Sequence, residues 1–199
     1  MEDIIYRTLF VALSLLITID ALSRGLTPPP HNLYWEEMSS KEKDSLLFAD
    51  SSINKDAINF LQNKWKPSDD EKTFLFLDTI TSLRRYPSKN RAFYFHVFNK
   101  ICLKVDGSLA EVIGDYCLKI LIEAPDYVID YFSKDQQMMN LYTRNIGYKF
   151  LVEQEAKMSL YNFDSLAYYL NKIYFSDKNH KSTRSNFLRE IKSSMNTME

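Results

Sequence analysis

The hydrophobic and polar positions of this chain recur at helical spacing over most of its length. Leu109, Val112, Ile113, Tyr116, Cys117, Ile120 and Leu121 fall at i, i+3, i+4, i+7 and i+8, with Glu111, Asp115 and Lys119 on the other side. A second stripe runs through Tyr94, Phe98, Ile101, Cys102 and Val105. A third uses Phe76, Ile80 and Leu83, flanked by Thr73 and Leu77. Weaker helical patterns cover 53–65, 126–132, 134–154, 163–175 and 182–195. No period-two run bounded by turn residues appears anywhere.

Start and stop signals agree with this periodicity. Ser39–Glu42, Ser68–Glu71, Ser108–Glu111 and Ser133–Gln136 each have the capping-box spacing, in which the Ser hydroxyl accepts from the N3 amide and the N3 side chain reaches back. Pro67, Pro87 and Pro125 fall in the gaps, where a residue without an N–H breaks least. The pattern predicts an all-α fold. The boxes at Ser68 and Ser108 are forty residues apart, the size of a helical-hairpin repeat, so an irregular array of antiparallel hairpins is the first expectation. A closed helical bundle is the alternative.

The N-terminus differs from the rest. The uncharged run TLFVALSLLITI between Arg7 and Asp20 reaches about 18 Å as a helix, short of a ~30 Å hydrocarbon core. It suits the apolar region of a secretory signal, with small Ala21 and Ser23 placed for cleavage after Ser23. Glu2, Asp3 and Asp20 count against a signal, and an apolar core helix or an uncleaved anchor are the alternatives. The expected organisation is a signal or apolar helix over 1–23, a proline-containing extended segment over 24–38 and one helical domain over 39–199. The protein is then exported, to the periplasm or beyond. If the segment is uncleaved, the protein is membrane-anchored through it or cytoplasmic.

Composition narrows the chemistry. The 199 residues include only four glycines, which disfavours folds built on tight turns and phosphate loops. The net charge of −1 offers no basic excess for nucleic acid. Histidines stand at 31, 96 and 180 with no i, i+4 pair and no Cys-x-x-Cys, so no metal or cofactor is expected. His31 follows the proline run and His180 lies in a polar loop, so both are expected in solvent. His96 and Cys102 point to different sides of one helix. Cys102 and Cys117 lie on apolar stripes, poorly matched in height for a disulfide, and are expected as buried free thiols.

One polar pattern remains. Asp126 and Asp130 stack at i, i+4 with Tyr127 and Tyr131 beside them, while Val128, Ile129 and Phe132 turn inward. As a surface this is an acidic stripe edged with tyrosine, a composition favoured at interfaces; the alternative is a solvated face with the rings over the core edge. Two further clusters are expected to serve the fold. Tyr168 and Tyr169 join Leu166, Leu170 and Ile173 in a stripe, and the basic segment 178–192 docks through Phe187, Leu188 and Ile191. Together these features suggest a non-catalytic module that binds another protein, as an adaptor or inhibitor. The alternatives are a membrane-anchored helical component and an enzyme whose site leaves no local motif.

Overall fold

The computed structural model describes residues 32–156, 162–173, 175 and 177–197. The expectations for 1–31, including the signal, the cut after Ser23 and His31, lie outside the described residues. Among the described residues the chain forms nine α-helices and no strand. They are α1 (Ser40–Ala49), α2 (Lys55–Leu61), α3 (Glu71–Thr81), α4 (Ser88–Cys102), α5 (Gly107–Glu123), α6 (Pro125–Lys134), α7 (Gln136–Ala156), α8 (Phe163–Lys172) and α9 (Lys178–Thr197). Short 3₁₀ turns occupy Trp35–Glu37 and Leu83–Arg85. The fold is all-α.

Local chemistry sets the helix ends. At α1 the capping box forms as expected: the Glu42 amide donates to Ser39 Oγ at 3.3 Å and the Ser39 amide to Glu42 Oε2 at 3.1 Å. Two of the other three boxes are displaced by aspartates. Asp70 caps α3 by accepting from the Thr73 amide at 2.7 Å, and Ser68 donates to that carboxylate instead. Asp135 takes the Met138 amide at 2.9 Å, because Ser133 still belongs to α6 and donates to the Asp130 carbonyl. Helix α5 starts two residues early, at Gly107, whose φ of +57° suits a residue without Cβ, and its N-cap Asp106 makes no side-chain cap. An ionised carboxylate is a stronger acceptor than a hydroxyl, so Asp wins where both are within reach. Helix α2 ends in a Schellman turn. Asn63 at φ 55° donates to the Phe60 carbonyl and Lys64 to that of Asn59.

Helix α4 is the central rod. It buries Ala92, Phe93, Tyr94, Phe95, Val97, Phe98, Ile101 and Cys102, residues that surround its axis rather than forming the single stripe expected from Tyr94, Phe98 and Ile101. Helices α2 and α3 pack on α4, and α5 packs on α3, α6 and α7. The C-terminal helix α9 lies along α7 and against α6. Around the join, Phe132 stacks on Phe187 at 5.2 Å and meets the edge of Tyr142 at 5.0 Å. The buried Tyr142 hydroxyl donates to Asn99 Oδ1 at 2.8 Å, so the core carries a satisfied polar pair.

Two glycines explain how closely α7 is held. A Cβ at Gly114 of α5 would collide with the Asn145 carbonyl of α7, and one at Gly147 would lie 2.9 Å from Ser194 Cβ of α9. The helices approach there nearer than any side chain allows. The basic C-terminal segment docks as expected, with Phe187 and Ile191 buried and Lys178, Lys181 and Lys192 in water. Helix α8 buries Leu166 and Leu170, but Tyr168 turns outward, 67% exposed with Lys172 over its ring.

Candidate functional site

The four residues of the acidic, tyrosine-edged stripe do not share one exposure. Asp126 is exposed, whereas Tyr127 is buried, with its ring 5.2 Å from Phe95 and its hydroxyl donating to the Leu33 carbonyl at 2.9 Å. Tyr131 sits edge-on to Phe95 at 5.0 Å and donates to Asp135 at 3.2 Å. Asp130 accepts from the Tyr34 hydroxyl at 2.7 Å and contacts His180 Nε2 at 2.8 Å. Its side chain is only 15% exposed. Tyr127, Asp130 and Tyr131 therefore serve contacts within the chain, in an arrangement that no local pattern reveals. Tyr34 and His180 lie 96 and 50 residues from Asp130.

What these residues hold is the segment Leu33–Glu37. Trp35 packs on Phe93 at 5.3 Å and on the His96 ring at 5.6 Å. Glu36 Oε1 lies 2.8 Å from His96 Nδ1, and Glu37 Oε1 lies 3.2 Å from Lys134 Nζ. Burial pushes the Glu36 carboxyl up, but the His96 hydrogen bond, its own backbone and the charges of His96 and Lys43 bring it below the ordinary range. Burial and the Asp130 carboxylate raise the Tyr34 phenol far above its ordinary value, so it stays a donor. His180, expected in solvent, is half-buried beside Phe175 instead.

A cleft lies elsewhere, between the stretch that follows α2 and the turn joining α4 to α5. Its volume is about 810 Å³. Phe60, Trp65, Ile101, Val105 and Leu109 form its apolar lining, and Lys64, Lys66, Lys104, Asp69 and Asp106 its charged rim. The Asn63 turn and Pro67 carry Trp65 back toward α3, where it meets the edge of Phe76 at 5.0 Å. Lys104 reaches over the Phe60 ring at 5.2 Å. Leu103, beside this turn, is 48% exposed. Sequence reasoning missed the cleft because it depends on two turns forty residues apart meeting. The only local hint is Trp65 between two lysines, outside every apolar stripe.

A second, shallower hollow of about 520 Å³ lies between α1 and the start of α4, lined by Glu42, Leu46, Asp50 and Lys89. Cys102 and Cys117 are free and buried, as expected. Their thiols are nonetheless neighbours, and burial together with the Cys117 thiol raises that of Cys102. Among the described residues no cluster of three or more His, Cys, Asp or Glu could hold a metal ion. No helix among them is long and apolar enough to cross a membrane. Comparison with protein-family models, with curated proteins and with solved structures finds no match to this chain.

Proposed function

We propose that this protein is a non-catalytic helical binding module of the adaptor or inhibitor type, and that it takes a segment of a partner protein in the cleft of Phe60, Trp65 and Lys104. The observation that supports this most is the combination of an apolar, aromatic lining with a rim on which three lysines outnumber two aspartates, Asp69 and Asp106. Among the described residues, Lys64, Lys66 and Lys104 have no carboxylate within ion-pair distance. The fitting occupant places apolar side chains on Phe60 and Trp65 and carboxylates opposite the three lysines. Aromatic residues are favoured anchors at such sites because they bury a large area with few rotatable bonds.

The stripe at 126–131 supports binding less, because Tyr127, Asp130 and Tyr131 are committed to Leu33, Tyr34, His180 and Asp135. The reading includes export, which rests on the sequence of 1–23 and is tested by N-terminal sequencing of the mature chain: a start at Arg24 supports it, and a start at Met1 ends it. The cleft is tested by a photo-crosslinking side chain at position 103 or, as control, at 168, in the producing cell. The reading expects one partner, identified by mass spectrometry, at 103 and not at 168. Equal labelling from both positions, or none from 103, rejects the cleft.

A further inference from the structure

We propose that Leu33–Glu37 is a pH-gated strap, fastened more tightly to the helical body when His96 and His180 are protonated and loosened when they are neutral. The inference does not depend on the cleft.

The geometry that points to this is a convergence. Two of the molecule's three histidines face carboxylates that tie this one short segment down. His96 of α4 meets Glu36 of the strap itself at 2.8 Å. His180 of α9 meets Asp130 of α6 at 2.8 Å, and the other oxygen of that carboxylate accepts from Tyr34 of the strap at 2.7 Å. An imidazole against a carboxylate is a neutral hydrogen bond when the ring is uncharged and an ion pair when it is protonated. The charge-assisted form is roughly twice as strong. Histidine changes charge between about pH 5 and 8, while carboxylates remain ionised down to about pH 4. Acidification within that window therefore adds one direct attraction to the strap, His96 to Glu36, and pins Asp130, the acceptor of Tyr34, against His180.

Other charges near the pairs moderate the effect without changing its sign. Lys43 of α1 stands 5.4 Å over the Trp35 ring and acts on Glu36. Lys134 of α6 pairs with Glu37 and lies 3.8 Å from Asp130. Lys181 and Arg184 follow His180 on its own helix, and Arg184 stands over Phe175. Tyr127 and Tyr131 of α6 remain protonated, since burial holds both phenols well above their ordinary value. The lysines keep a share of both carboxylates throughout that window, so the neutral rings loosen the strap without releasing it outright.

The test is amide hydrogen exchange on the full chain. The amides of Glu37 and Met38 donate to the Tyr34 and Trp35 carbonyls at 3.1 and 3.2 Å, so they report the strap directly. After correction for intrinsic rates, their protection relative to amides inside α4 should rise about fivefold to tenfold between about pH 8 and about pH 5.5. The H96Q/H180Q variant should lose that rise, and H31Q should keep it. A flat wild-type ratio overturns the proposal whether or not the double variant folds. A rise that persists in a folded H96Q/H180Q chain overturns it as well.

Discussion

His180 Nε2 lies 2.8 Å from Asp130 Oδ1, and this contact joins the first turn of α9 to the middle of α6. It turns Asp130 from a surface acid into an internal one, shared with Tyr34. The two aspartates of one helix therefore differ in consequence. Asp130→Asn should lower unfolding free energy by about 1–3 kcal/mol, because charge-assisted bonds are lost in a half-buried site. Asp126→Asn, on the exposed turn, should stay within about 0.5 kcal/mol. Urea unfolding followed by circular dichroism distinguishes them, and equal effects would show that Asp130 is not tied as described.

The close approach of α7 to its neighbours gives a second expectation. Alanine is the better helix former by about 1 kcal/mol, yet Gly114→Ala and Gly147→Ala should each destabilise, by about 1–3 kcal/mol. Gly114 should be the costlier of the two, because its Cβ would overlap the Asn145 backbone more deeply than that of Gly147 overlaps Ser194 Cβ, 2.9 Å away. Thermal melts of both variants check the order. A stabilised Gly114→Ala would mean that α5 and α7 lie farther apart.

Tyr142→Phe isolates one buried bond. The ring keeps its place against Phe98 and Phe132, but Asn99 Oδ1 loses its donor inside the core. A cost of about 1–3 kcal/mol in denaturant unfolding is expected. Phe187→Ala, which removes the ring stacked on Phe132, should cost about 3–5 kcal/mol.

Acid should weaken the fold through its N-terminal helices. Hydrogen bonds from Lys89 and Ser39 lower the Glu42 carboxyl to about 2, and those from Ser68 and Thr73 lower that of Asp70. A carboxyl held below its unfolded value contributes stability above that value and loses it as pH falls through the folded one. Melting temperature should therefore drop as pH falls from about 4.5 toward 2. Glu42→Gln and Asp70→Asn should melt lower than wild type at neutral pH, with the gap closing in acid. A gap that does not narrow would remove these carboxylates from the account.

The fold class and most helix positions were legible because the apolar stripes of α3 and α5 are local. Phe76, Ile80, Leu109, Ile113 and Cys117 are all buried where a 3.6-residue period puts them. Helix starts were legible to within a few residues. Ser68 and Ser133 lost the cap to neighbouring aspartates, a competition that spacing alone does not rank. The surroundings of Asp130 were not legible, since Tyr34 and His180 reach it only through tertiary packing. The cleft escaped for the same reason, although Trp65 between Lys64 and Lys66 marks one wall of it.

The central claim is tested most directly by measuring how tightly the partner captured at position 103 binds wild-type protein and the K64E/K66E/K104E variant. Three rim charges reversed should weaken binding by at least about tenfold, with the melting temperature unchanged and the difference shrinking in high salt. Equal affinity for the two proteins, or loss that accompanies unfolding alone, would contradict the assignment of the cleft as the binding face.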